Sequence, residues 1–262
     1  MKEMENYIYI IKLIAYFMIY SFFGWVMESV LKTYLQKKPV NSGFLYGPFC
    51  PIYGFGAMFM FFFLQGFRGN IIVLFIIAFF SLSVWEYAVG WLLEKIFHTK
   101  YWDYTQNKFN IKGRVCLLNS IFWGILGVIF INLVHPFIAQ KIDLIPANIL
   151  TFNTIMVGIA IIADTIVSVI KVSNIKPTLE RLKEISSMIK EKIEELDKMQ
   201  VNKENLQTII EELKYKQTKL KRRLIRQTNH LKKAFPTIKS ETIEKINEYL
   251  KEKKENARKG KD

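Results

Sequence analysis

The sequence predicts an all-α protein: a polytopic membrane helical bundle of about five spans, followed by a C-terminal cytoplasmic coiled-coil tail. Three observations predict this class. Of the 262 residues, 51% are hydrophobic and 21 are Phe, which is too apolar for a soluble domain with a polar tail. The net charge of +14 is concentrated after residue 170, where 25 of the 37 basic residues lie. That last part repeats its apolar residues in heptads, as coiled coils do.

Uncharged runs define the spans. A helix needs about 20 mostly apolar residues to cross ~30 Å of hydrocarbon. Three uncharged gaps of 29, 26 and 20 residues (39–67, 115–140 and 144–163) satisfy this condition by length alone. Two other stretches are long enough but contain ionisable residues. The predicted spans are 7–31, 49–67, 70–97, 115–137 and 146–170, within a transmembrane domain of residues 1–172.

The charges of the connecting loops predict the orientation. Cytoplasmic loops are enriched in Lys and Arg, and five spans place the two termini on opposite sides. With the basic tail inside, the amino terminus lies outside, and the outer loops contain only Arg68 and Lys141. We therefore expect a multi-pass protein of the plasma membrane. The inner loops contain the remaining basic residues, namely Lys32, Lys37, Lys38, Lys95, Lys100, Lys108, Lys112 and Arg114.

The tail, residues 173–262, is predicted to be a basic helical coiled coil. Pro177 suits the first turn of a helix, and two heptad series follow, from Leu179 to Leu196 and from Leu206 to Leu231. The series differ in register by three residues, which fits either a stammer in one rod or a turn between two antiparallel helices. A short last helix is expected from Ser240. The tail is predicted to form a homo-oligomer or to bind a partner helix.

Basic residues in the tail form a patch off the apolar heptad positions: Lys219, Arg222, Arg223 and Arg226. Such residues can bind anionic lipid at about 1 kcal/mol each, or they can form an ordinary solvated face. Nucleic-acid binding is disfavoured, because no aromatic residues for base stacking are interleaved with them.

Polar residues within the spans are the candidates for function, because ionisable side chains in hydrocarbon usually face other helices, a cavity or a pathway. Glu86 is expected near the middle of its span, and Arg114 is expected to pair with Glu94 or Glu28. These groups either line a pathway or only fasten helices together. The predicted polar cluster comprises Glu28, Glu86, Glu94, His98, Asp103, Arg114 and Asp164.

The first inner loop, residues 41–56, combines Gly and Pro with aromatic residues. Irregular backbone at membrane depth survives only where protein or a water-filled cavity satisfies it, so the loop is either part of a pathway or a tightly packed corner. No cofactor, metal site or disulfide is predicted, since Cys50, His98 and Cys116 match no metal-binding pattern. The candidate residues of this loop are Gly47, Pro48, Cys50, Pro51, Tyr53 and Gly54.

Several motifs in order resemble the bacterial ABC-transporter permease family of CmpB type, most strongly over residues 15–135. The resemblance implies a transporter subunit, and the sequence has no G-x-x-x-x-G-K-[ST] loop, so a separate ATPase subunit would be required. Residues 32–49 and 101–113 are possible docking surfaces for it. The motifs are the segments 21–28, 47–54, 85–98, 102–104, 109–110 and 113–117.

Three functions remain open. The first is a permease-like transporter subunit of unknown substrate, and the second is a membrane anchor or scaffold that recruits partners through its tail. The third is an intramembrane enzyme that acts on a lipid-linked substrate through Glu28, Glu94, His98 and Asp103. The first is favoured, so the chain is expected not to be an enzyme.

Overall fold

The computed structural model describes residues 2–97, 99–198, 203–235, 238–240, 242–249 and 251. It is almost entirely helical, as the sequence predicted. Two compact units are present: a membrane unit of Met1–Ser168 with Lys233–Lys239, and a tail unit of Val169–Lys232 with Ser240–Asp262. The predicted boundary at residue 172 lies close to this division, but the predicted tail includes residues 233–239, which the structure assigns to the membrane unit.

The helices of the membrane unit are α1 (Lys2–Gln36), α2 (Pro51–Leu64), α3 (Ile71–Phe97), α4 (Leu117–Ile129), α5 (His135–Asp143) and the larger part of α6 (Ala147–Ser173). A 3₁₀ turn, Gln65–Phe67, follows α2, and a π-helical turn, Phe130–Val134, joins α4 to α5. Pro136, near the start of α5, has no N–H to donate to the preceding turn, which accounts for the widened turn at this point. The strand β1 (Thr99–Lys100) pairs with β2 (Lys239–Ser240).

Within the described part of the chain, four helical stretches are long and apolar enough to cross a membrane: Glu3–Gln36, Ile71–Phe97, Leu117–Asp143 and Ala147–Leu196. The remaining predicted span is the shorter apolar helix Pro51–Phe67, which is about 25 Å long. Large apolar side chains on these helices remain exposed in the isolated chain, as lipid-facing side chains would. Examples are Phe62, Ile72, Phe80, Val84, Phe122, Phe152 and Ile162.

The predicted loop 41–56 is shorter than expected, because α2 begins at Pro51. Proline is favoured in the first turn of a helix, where its missing N–H costs nothing, so residues 51–56 are helical. The chain before Pro51 runs back along α1, since Val40 N–H donates to Thr33 Oγ1 (3.0 Å) and Cys50 N–H donates to Ser21 O (2.9 Å). The distance along the α1 axis from Thr33 to Ser21 is about 18 Å, so the chain runs this far beside α1 before α2 starts.

Close packing of α1 against α2 depends on two glycines. Gly24 faces Tyr53, and a Cβ on Gly54 would lie 2.7 Å from Phe17 O. Small residues of this kind allow membrane helices to approach closely. The core of the unit then packs around fully buried Leu64 and Leu74.

The tail unit contains α7 (Ile175–Lys198) and α8 (Lys203–Ala234), and residues 242–249 are also helical, as predicted. Gln217 Nε2 donates to Ser186 Oγ (2.7 Å), and Gln227 Nε2 donates to Lys171 O (3.2 Å). From the first of these contacts to the second, the residue number rises from 217 to 227 in α8 while that of its partner falls from 186 to 171. The two segments therefore run antiparallel, and α7 and α8 form a hairpin. Of the two predicted arrangements, the structure therefore supports the turn, although residues 199–202 lie outside those described. The coiled-coil association stays a prediction.

We expect Gly54→Ala to destabilise the protein by about 1–3 kcal/mol, because the new methyl group overlaps the backbone of α1. Gly56→Ala is the matched control on the same helix. Its Cβ would lie 3.9 Å from Trp85 Nε1, and Ala is a better helix former than Gly, so its stability should be equal or higher. Thermal unfolding of both variants in detergent checks this, and equal stability losses would contradict it.

Candidate functional site within the membrane unit

Glu86 is buried in α3 and receives hydrogen bonds from two other segments. Its Oε1 accepts from Tyr104 Oη and Asn119 Nδ2 (3.3 Å each), and its Oε2 accepts from Trp123 Nε1 (3.0 Å). Burial, followed by the nearby Glu86 carboxylate, raises the pKa of Tyr104, so the phenol retains its proton and donates it. Among the described residues, no basic side chain lies within ion-pair distance of Glu86. This carboxyl group is thus held by neutral donors.

Arg114 pairs with Glu94, which confirms one of the two predicted partners. Its Nη2 and Nε donate to Glu94 Oε2 at 2.7 and 3.1 Å, and its Nη1 donates to Tyr87 Oη at 3.0 Å. The hydrogen bond to Glu94 raises the pKa of the guanidinium further. Gly90, on the same face of α3, leaves the space that Trp102 and Arg114 occupy.

Glu28, the alternative partner, does not contact Arg114. It accepts from Lys32 Nζ at 2.5 Å and lies 3.5 Å from Cys50 Sγ. Cys50 is buried at the end of the first inner loop, where its Sγ also lies 3.7 Å from Ser42 O.

Asp164 of α6 binds the backbone of the first inner loop. Its Oδ2 accepts from Gly47 N–H (2.7 Å), its Oδ1 accepts from Tyr46 N–H (3.3 Å), and Ser168 Oγ lies 3.4 Å from Oδ1. A Cβ at Gly47 would lie 3.0 Å from this carboxylate. The Gly47-Pro48 segment is therefore anchored by an acid that lies 117 positions away in sequence.

Asp103 accepts hydrogen bonds from neighbouring residues of the segment that follows α3. It accepts from Lys100 Nζ (3.4 Å), Thr105 N–H (3.2 Å) and Thr105 Oγ1 (3.1 Å). These bonds stabilise the second inner loop, residues 101–116, at the turn where Gly113 adopts a positive φ of 68°.

The predicted polar cluster is thus distributed over separate sites. Arg114 and Glu94 meet, whereas Glu28, Glu86, Asp103 and Asp164 each have their own partners. His98 lies outside the described residues. Within the described part of the chain, no group of three or more His, Cys, Asp or Glu side chains could hold a metal ion.

A further contact was missed by the sequence analysis. Ala234, the last residue of α8, and Phe235 contact α1 and the second inner loop: Lys32 Nζ donates to Ala234 O and lies 5.1 Å from the Phe235 ring. The Phe235 ring also meets the Tyr101 ring edge-on, with 4.8 Å between centroids. A large aromatic residue in a polar tail is the signal that could have indicated this contact.

The basic patch of α8 is exposed, as predicted. Lys219, Arg222, Arg223 and Arg226 face solvent, whereas Leu224 on the other face is fully buried. Lipid binding by this patch stays a prediction.

Long apolar helices and partnered polar groups within the spans define a polytopic α-helical membrane protein. A family model described as "Putative ABC-transporter type IV", the CmpB type, matches residues 15–169, and the chain belongs to this family. The match and the apolar helices fit a membrane subunit of a transporter. The match ends at residue 169, at the end of the last predicted span. It extends beyond residue 135, where the strongest part of the resemblance noted in the sequence ends. The comparisons with curated proteins and with solved structures gave no match.

We expect Arg114→Lys to lower the stability by about 1 kcal/mol, because lysine keeps the charge but cannot form the forked contact with Glu94 and Tyr87. The estimate is small because the Glu94 side chain is 39% exposed. Arg68→Lys, at an exposed position, is the control and should have no effect. If both variants unfold at the same temperature in detergent, the Arg114 contacts do not stabilise the fold.

Proposed function

We propose that this chain is the permease-like membrane subunit of an ABC-type transporter and works with a separate ATPase. The observation that carries the proposal is the path of the two inner loops. Both enter the membrane unit from the same end, and the second brings Tyr104 to Glu86 in α3. Transporters place irregular backbone at membrane depth where it lines a substrate site. A simple anchor does not require such loops.

The charge distribution supports an ATPase on the side of these loops. Lys108 and Lys112 lie on the second inner loop next to exposed Phe109 and Ile111. Asn110 holds this turn rigid, because its Nδ2 donates to Asn107 O (2.9 Å) and its Oδ1 accepts from Gly113 N–H (3.1 Å). A rigid, basic and partly apolar projection can bind an acidic groove on a partner.

Affinity purification from native membranes after mild crosslinking tests this proposal. We expect an ATPase with a nucleotide-binding P-loop to be retained, and we expect Lys108→Glu with Lys112→Glu to reduce its recovery severalfold. Arg68→Glu, on the predicted outer side, is the matched control and should retain it. Recovery of other partners without any ATPase from crosslinked wild-type membranes would contradict the proposal.

A scaffold that recruits partners through its tail is the second candidate, and the exposed basic patch of α8 favours it. Replacing Lys219, Arg222, Arg223 and Arg226 by Gln changes no buried contact of that helix. A transporter subunit should keep its ATPase after this change, whereas a scaffold should lose its partner.

We further propose that the amino terminus is outside and the tail is cytoplasmic. Cys50 and Cys116 are both about 1% exposed, so single-cysteine labelling on intact cells should show little background. A membrane-impermeant maleimide should label Arg68→Cys and Lys141→Cys. It should label Lys112→Cys and Lys219→Cys only after the cells are opened. The reverse pattern would contradict the orientation.

A further inference from the structure

The membrane unit contains a sequence repeat with a fixed spacing of 66 positions and no gaps. The repeat includes both cysteines of the chain and the motif Gly-Trp-x-x-Glu, which occurs at 24–28 and again at 90–94. Between residues 24–50 and 90–116, the matched identical residues are Gly24 and Gly90, Trp25 and Trp91, Glu28 and Glu94, Thr33 and Thr99, Asn41 and Asn107, Gly47 and Gly113, and Cys50 and Cys116.

The structure repeats in the same register. The first module is α1, the loop 37–50 and α2, and the second is α3, the loop 99–116 and α4. Cys50 and Cys116 each occupy the cap position directly before the second helix of their module. The matched positions 43 and 109 both have positive φ, 92° at Gly43 and 53° at Phe109. A positive φ is uncommon for a residue other than glycine, so its recurrence at Phe109 relates the two loops at this position. They differ at the matched glycines, because Gly113 has a positive φ of 68° and Gly47 does not.

The helix contacts repeat as well. Gly54 packs against Phe17 in the first module, and the matched Ser120 and Ser83 share a hydrogen bond of 2.7 Å in the second. Because each module runs along one long helix and returns along the next, the two modules have the same orientation. Transporters with parallel repeats place their binding sites where the repeats meet.

A comparison of the two copies indicates which polar groups the common fold of the module requires. Residues shared by both copies, such as Glu28 and Glu94, serve the common fold. Glu86 is not shared: the first copy has Tyr20 there, and Tyr20 Oη pairs with His135 Nδ1 at 2.7 Å. The three donors to Glu86 are not shared either, since Tyr104, Asn119 and Trp123 match Lys38, Tyr53 and Ala57. The fold therefore forms without this polar group.

We propose that the membrane unit is a tandem duplication and that Glu86, present in the second copy alone, takes up and releases a proton. Hydrogen-bond donors occupy the Glu86 oxygens, so the site offers no set of oxygen ligands to a metal ion. A buried carboxyl group in a span, with no basic partner among the described residues, is suited to exchange a proton, as acids do in pumps and transporters. The inference rests on the proposed function in that the proton would be cargo or a coupling ion. Binding itself does not depend on an ATPase.

Infrared spectroscopy of the purified full-length chain in lipid nanodiscs tests the proposal. The probe is the carbonyl stretch of a protonated carboxyl group, assigned by its loss in Glu86→Gln. The spectrum is recorded from mildly acidic to mildly alkaline pH in sodium, potassium or choline chloride. Glu94→Gln is the matched control, because Glu94 is paired with the Arg114 guanidinium, and this variant should leave the Glu86 band in place.

A Glu86 band that titrates between mildly acidic and mildly alkaline pH, equally in all three salts, supports the proposal. A band that sodium or potassium removes relative to choline identifies a metal-ion site instead and overturns it. If Glu86→Gln does not fold, carbodiimide labelling of Glu86 in wild type replaces it, read by mass spectrometry, with severalfold protection expected at alkaline pH in every salt.

A Glu86 signal that pH does not change, or the absence of a signal, also overturns the proposal. This outcome differs from failure of the proposed function, which is judged by whether an ATPase is retained. A proton site without an ATPase would therefore preserve this inference and contradict only the other one.

Discussion

The structure depends on one constraint: backbone N–H and C=O groups inside a membrane must be paired, because hydrocarbon offers no water to bind them. Helices satisfy the constraint by themselves, but the two inner loops do not. In the first loop, Asp164 accepts from Gly47 N–H, and Ser29 Oγ accepts from Ser42 N–H at 3.1 Å. In the second, Tyr104 N–H donates to Gly113 O at 2.8 Å. The loops can therefore occupy the unit because spans and turns supply partners for their backbone.

The acidic side chains must also be paired inside a membrane, and their partners indicate different roles. Glu94 has a guanidinium partner and Glu28 has an ammonium partner, and both recur in the two modules, which indicates structural roles. Asp164 serves the backbone of a loop. Glu86 differs, because its partners are neutral and its position in the first module is Tyr20. Its role is therefore the one that the requirements of the fold do not explain.

Much of the fold could be predicted from the sequence, because the spacing of charges limits where helices cross a membrane. Arg114 was expected to pair with Glu94 or Glu28 from their depth, and its partner is Glu94. Other features depend on contacts that local pattern does not encode. Asp164 was expected to line a pathway or to fasten helices, but its partners are amides distant in sequence, and the contact of Phe235 with Tyr101 joins distant segments. The repeat with a spacing of 66 was present in the sequence, yet its significance came from the matching positions of the two cysteines before α2 and α4.

Amide hydrogen exchange in nanodiscs tests most directly whether side chains from the spans hold the first inner loop within the membrane unit. The account predicts slow exchange for residues 44–50 in wild type and clearly faster exchange in Asp164→Ala, which removes the acceptor of the Gly47 and Tyr46 amides. Exchange in α4 should not change. Rapid exchange of residues 44–50 in both proteins would show that water reaches this loop freely, and it would contradict the account.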